Sequence, residues 1–199
     1  MPGSCAPGPE AAPAFRRALV RAKWRIRRII RVSSVPEDPL HAVNTVLWLR
    51  RLAPDADAAL RLAAYAHDID RADDATRMRR ADFADYDAFK AAHAEHGAAI
   101  VAAILRDEGL PPAFIADCAD LIRRHETGGT PRADLLRDAD SISYFDVNLP
   151  LYFAREGWDE TLRRCRWGWQ RLSPRAQQWV GGIRHGDPQL NELVRRAAH

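Results

Sequence analysis

Lysine is nearly missing from this 199-residue chain, occurring only at Lys23 and Lys90, while arginine is abundant. Lys and Arg together number 30 against 27 Asp and Glu, so the formal net charge is only +3, although the isoelectric point is near 9.0. An excess that small does not by itself imply a nucleic-acid partner. The bias to Arg and Ala also weakens any argument from a single arginine cluster. Cysteine is scarce too: Cys5, Cys118 and Cys165 are odd in number, widely spaced and form no CxxC. That argues against a disulfide framework or a thiolate zinc site and fits a reducing compartment. No apolar run approaches the roughly 20 residues of a membrane span. No secretory apolar region is present either. A soluble cytoplasmic protein with no membrane partner is expected. Strand signals are missing as well: there is no period-2 alternation and no internal repeat. What remains is 47% hydrophobic and 29% charged, the balance of a globular chain long enough for one domain with a substantial core.

The periodicity predicts an all-α protein. Residues 1–13, rich in Pro, Gly and Ala, read as a disordered lead-in. From residue 14 to 32, Phe15, Leu19, Ala22, Ile26 and Ile29 recur at helical spacing among many arginines. This predicts an amphipathic helix packed on the domain. An RNA-facing helix and an organellar transit peptide are the alternatives, so a nucleic-acid partner is possible but not favoured. Helices follow over HAVNTVLWLRRL and from Asp55, as cap, through His67. The charged stretch 71–87 reads as a loop. A long helix is predicted over about 87–108, ended by Gly109, and the next restarts at Pro111-Pro112. Another is predicted from Asp134 to about Asn148, limited by Pro150. Three more helices complete the C-terminus. Residues 14–199 thus form a single α-helical domain, with 38–150 carrying the chemistry and helices in 151–199 added to it.

The chemistry centres on His67-Asp68 at the end of the apolar stretch AALRLAAYAHDID. Five of the 7 histidines lie between residues 41 and 125. His41 starts the helix whose inward face holds Thr45 and Trp48. His67 shares a face with Leu60 and Ala64. His93 falls on the stripe Phe89, Gly97, Ile100, Ile104, and His96 adjoins it. His125 continues Phe114, Cys118, Leu121 and Ile122. Asp138 and Asp140 lie about 100° to either side of Ala139, so periodicity does not choose between them. His67 and Asp68 serve one ion together only near a helix end, and Asp70 and Arg71 mark such an end. Independent buried histidines would each need a separate polar partner. A shared metal satisfies them at once, and imidazole with carboxylate suits Mn, Fe, Co, Ni or Zn.

In order, these residues resemble the H…HD…D pattern of the HD superfamily of metal-dependent phosphohydrolases. AAYAHDIDR is similar to the family's "ALLHDIGK", with Asp70 in the Gly position and Arg71 in the Lys position. AAHAEHGAAIV is similar to its "H-P-E-x-G-A" helix, which aligns His93 with a ligand and His96 with a variable position. IRRHETGG resembles the later histidine helix. LLRDADSIS resembles "DADxLD", in which the second Asp is the ligand; this favours Asp140. The likeness covers about residues 38–150, and the C-terminal part resembles an uncharacterised HD-like bacterial family.

The resemblance implies an HD-like helical bundle in which His41, His67, Asp68 and Asp140 hold a divalent transition metal. His93 and His125 would add a second ion, bridged by Asp68. Catalysis is assigned to Asp68 and Arg71. Arg71, Arg79, Arg80 and Arg132 are the expected clamps for a small phosphorylated substrate, nucleotide or other. The alternative is a non-catalytic module that binds a nucleotide or partner around a structural metal. Asp70 is expected either to hold a neighbouring His or a water, or to lower affinity for an anionic substrate. The oligomeric state is not legible.

Overall fold

The computed structural model describes residues 12–72 and 74–198, and every regular element among them is helical. In order these are α1 (Pro13–Ile30), α2 (Asp38–Leu52), α3 (Ala58–Ala66), α4 (Tyr86–Asp107), α5 (Pro112–Arg123), α6 (Pro131–Ser143), α7 (Leu149–Arg171), α8 (Pro174–Gly182) and α9 (Pro188–Ala197). The fold class is therefore all-α. The expected lead-in falls outside the described residues up to position 11, and Pro13 already opens α1.

Local chemistry explains most boundaries. The side chains of Asp57, Asp85, Thr130, Ser173 and Asp187 accept backbone N–H groups at the starts of α3, α4, α6, α8 and α9. Each such cap satisfies a donor the helix itself leaves unpaired. The cap of α3 is thus Asp57 rather than Asp55, because Ala58 is the first helical residue. The stretch 71–87 is not a plain loop. A 3₁₀ turn at Ile69–Ala72 overlaps its start, another lies at Arg80–Asp82, and α4 begins at Tyr86.

The largest departure from the periodicity lies at Pro150. Helix α6 starts at Pro131, capped by Thr130, and not at Asp134. Its end runs through a π turn at Tyr144–Asn148 straight into α7. Pro150 lies in the first turn of α7, where its missing N–H costs nothing. Proline therefore opens a helix here instead of closing one. Within α7, Gly157 has φ 76 and ψ −172 and breaks the helix into two segments. A residue with a Cβ would be strained there.

Helix α4 packs on α5, α2 on α6, α3 on both α2 and α5, and α7 on α9. Their buried apolar residues form one cluster that also includes Phe15, Leu19 and Ile26 of α1. The α1 stripe faces inward as predicted, with Ile30 rather than Ile29 fully buried at its end. Each Leu or Ile buried this way contributes about 1.5–3 kcal/mol. Arg21 and Arg25 fasten α1 to Asp107 and Glu108 at the C-terminal end of α4. At Gly97 of α4, an added Cβ would lie 3.3 Å from the His67 carbonyl oxygen. The glycine brings α4, with His93, close to the turn that carries His67 and Asp68. Among the described residues, no helix is long and apolar enough to cross a membrane.

Candidate metal centre

Helix α3 ends at Ala66, so His67 and Asp68 occupy the turn that follows it. His67 keeps helical dihedrals there, and Asp68 Oδ2 still comes within 3.6 Å of His67 Nε2, so both side chains reach one centre. His41 comes from the first turns of α2, His93 from α4, His125 from just beyond α5, and Asp140 from α6. All four histidines are buried, at 2% exposure or less.

The six side chains form two groups, His41 with His67 and Asp140, and Asp68 with His93 and His125. Within each group one ligand-type atom per residue lies within 4.8 Å of the others. Asp68 links the groups. Its Oδ1 is 3.0 Å from His93 Nε2, while its Oδ2 is 3.6 Å from His67 Nε2 and 3.7 Å from His41 Nε2. Asp140 Oδ1 is 3.1 Å from His41 Nε2 and 3.5 Å from His67 Nε2.

The second ring nitrogens decide what this cluster can do. His67 Nδ1 is 3.0 Å from the Ala64 carbonyl, and His125 Nδ1 is 2.7 Å from the Ile122 carbonyl. A carbonyl oxygen only accepts, so both Nδ1 atoms carry the proton. His41 Nδ1 donates to Ser143 Oγ at 2.9 Å, whose own hydrogen goes to the His41 carbonyl. His93 Nδ1 donates to Asp70 Oδ2 at 2.8 Å. The Nε2 atoms of His41, His67 and His93 are thereby turned towards the carboxylates of Asp68 and Asp140, while His125 Nε2 faces Glu126 at 3.1 Å. His41 Nε2 and His67 Nε2 are only 3.2 Å apart. Lone pairs so arranged repel unless a cation, proton or metal, lies among them. Fixing the far nitrogen to an acceptor is how proteins orient metal-binding imidazoles.

The titration directions agree. Burial alone would lower the His67 pKa, but the charges of Asp68 and Asp140 outweigh it and raise the value to about 9. Burial would raise the Asp68 and Asp140 carboxyls. Arg71, His67 and His93 instead hold Asp68 well below the usual range, and His41 and His67 do the same for Asp140. His125 is lowered, chiefly by burial.

Asp70 is fully buried and accepts from His93, from His96 and from the Met78 N–H. The Asp in the Gly position therefore holds neighbouring histidines. His96 reaches the cluster only through this carboxylate. Asp138 is elsewhere: it accepts from Ser173 N at 2.9 Å and Ser173 Oγ at 2.5 Å, at the start of α8.

The centre opens into a cavity of about 860 Å³. Arg71, Arg79 and Arg80 line it. Arg71 is already committed, however, with its two terminal nitrogens 2.6 Å from Asp68 and 2.6 Å from Asp38. Arg132 is not brought to the cavity. It binds Asp117 at 2.7 Å and Asp57 at 2.9 Å, because its place in the first turn of α6 faces α5 and the start of α3.

Sequence reasoning overlooked Asp38, Lys90 and Glu126. The Glu126 side chain, 7% exposed, lies beside His125 Nε2 at 3.1 Å and pairs with Lys90 and Arg171. Burial would raise its carboxyl, but Lys90 and His125 keep it well below the usual range. Its place next to His125 in the chain was the available signal. Helix α7 was missed as a wall of the cavity. Arg164, Trp167 and Arg171 recur on it at helical spacing, which could have flagged it.

No curated protein and no solved structure matches the chain. A family model described as Domain of unknown function (DUF4202) matches residues 26–194, and the chain belongs to that family.

Proposed function

We propose that this protein is a metal-dependent phosphohydrolase with an HD-like site, acting on a small phosphorylated molecule. The observation that carries this reading is the set of buried imidazoles gathered with Asp68 and Asp140, three of them with Nε2 turned on to those carboxylates. His41, His67 and Asp140 would hold one divalent transition metal, and Asp68, His93 and His125 a second, with Asp68 between them. All are nitrogen or oxygen donors, which suits Mn, Fe, Co, Ni or Zn. When bound, such ions activate water for attack at phosphorus and offset charge on the phosphoryl oxygens.

The chain's own groups do the rest. Ser143, Asp70 and the Ala64 and Ile122 carbonyls hold the imidazoles in one tautomer and orientation. Arg71 keeps Asp68 ionised and in position through a charge-assisted bond. Arg79 and Arg80 bond only to backbone carbonyls of Asp74 and Phe83 among the described residues. Their charge is available to an anionic substrate entering the cavity. The low surrounding dielectric strengthens each of these interactions.

The test is metal analysis of the purified protein, followed by a screen of nucleotides and sugar phosphates with Mn, Co or Ni restored after chelation. Metal-stimulated release of phosphate, lost in Asp68→Ala, is expected. Metal uptake with tight binding of one phosphorylated ligand but no turnover would instead indicate a binding module with a structural metal.

A further inference from the structure

Cations are numerous on the cavity wall, but most are neutralised. Arg71 is held by Asp68 and Asp38, Arg77 by Asp74, Lys90 by Glu126, Arg155 by Glu37 and Arg163 by Glu160. Arg79 and Arg80 bond only to backbone carbonyls among the described residues, from exposed positions before α4. Among the arginines that α7 places on the wall, Arg164 is different. It lines the same cavity and is half-buried, yet no carboxylate among the described residues lies within ion-pair distance. Glu160, one turn earlier on α7, is the acid beside it. That carboxylate is bound to Arg163 and to the Tyr152 hydroxyl.

Aromatic rings hold Arg164 instead. Its guanidinium carbon lies 4.6 Å from the Tyr144 ring centre and 4.3 Å from that of Trp167. A carboxylate partner would cancel the charge. A ring orders the guanidinium and leaves its charge and its in-plane N–H donors for another oxyanion. The side chain is thus set in place before a ligand arrives, which lowers the ordering cost of binding. Trp167 also carries the Arg171 guanidinium at 4.3 Å. These rings are engaged by cations, so the wall suits an anion better than a stacked base.

The row also fixes a distance. Arg171 lies 3.9 Å from Asp140, at the metal centre, and 3.0 Å from Glu126. Arg164 stands seven residues earlier on the same face, about 10 Å away along a helix.

We infer that Arg164 anchors a second anion subsite, so that the ligand of this cavity carries another phosphate or carboxylate besides the phosphoryl group at the metal centre. The inference rests on the proposed function only for where the first group sits. Arg164 is a binding residue in this scheme, and it reads the far end of the ligand.

Calorimetric titration of the full chain, with and without Mn, tests it. The probes are alkanediol bisphosphates and ω-carboxyalkyl phosphates of two to six carbons, each compared with the alkyl monophosphate of equal length. The best bifunctional probe should bind at least tenfold more tightly than its monophosphate, at the longer end of the series. The phosphate and carboxylate arms identify the second group. In Arg164→Leu the ratio should fall to within twofold, and Arg164→Lys, which keeps the charge without the fork, should retain part of it. If no bifunctional probe exceeds its monophosphate by more than twofold, or if the advantage survives Arg164→Leu, the inference is overturned. Should the protein take up no Mn, the metal reading falls separately. The affinity ratio and its dependence on Arg164 still decide this inference.

Discussion

Asp70 Oδ2 accepts the Nδ1–H of His93 at 2.8 Å, and that bond turns His93 Nε2 on to the Asp68 carboxylate. A residue that adds negative charge beside the site therefore holds imidazoles. Burial would raise the Asp70 carboxyl, but its bonds from His93 and His96 lower it instead. Asp70→Asn should keep the shape and lose the charge. Metal affinity should then fall by about 10- to 100-fold, the usual effect of losing such a supporting bond. Titration of the chelated variant with Mn measures this, and unchanged affinity would remove Asp70 from the site.

The two groups of ligands predict two ions. Wild-type protein should bind two equivalents of metal, and His93→Ala should keep the site of His41, His67 and Asp140 while losing the other. His67→Ala and Asp68→Ala should abolish tight binding altogether. One equivalent in wild type, with full retention in His93→Ala, would show a mononuclear centre.

Asp138 and Asp140 should separate cleanly. Asp140→Asn should lose metal, because Asp140 lies against His41 and His67. Asp138→Ala should keep metal and lose stability. It strips the Ser173 N–H and hydroxyl of their acceptor, at a cost of about 1–3 kcal/mol. Thermal melting and metal analysis of both variants provide the check, and equal metal loss would contradict the assignment.

Metal uptake should release protons. In the metal-free protein His67 titrates at about 9 against an ordinary 6.5. Its protonated form therefore contributes stability that is complete below 6.5 and lost as pH rises through about 9. A metal must displace that proton at neutral pH. Affinity should thus rise with pH towards 9, and the heat of binding should vary with the buffer's ionisation enthalpy. Affinity independent of pH between 6 and 9 would contradict a protonated His67.

Among the arginines, Arg71 and Arg132 should behave differently. Arg71→Ala removes the cation that Asp68 and Asp38 share. It should weaken both substrate binding and the metal centre, with turnover reduced well beyond any change in stability. Arg132→Ala breaks pairs with Asp57 and Asp117 that are partly exposed. Such pairs contribute at most about 1 kcal/mol, and turnover should be unchanged. Loss of turnover in Arg132→Ala at normal stability would place that residue back at the site.

Much of this protein is decided by sequence alone. Helical periodicity with little competing strand signal makes the class all-α, because apolar residues every three or four positions can share a buried face only in a helix. The same rule turned His41, His67, His93 and His125 inward. Tertiary structure decided the rest. Asp138 and Asp140 are equivalent on a helical wheel, and only the packing of α6 against α2 and α8 separates a site carboxylate from a cap. Pro150 is compatible with either end of a helix, and the π turn before it determines which. Arg71, Arg132 and Arg164 are alike as letters. Which of them keeps an unneutralised charge depends on whether a carboxylate or an aromatic ring from a distant segment reaches it, and local spacing does not encode that.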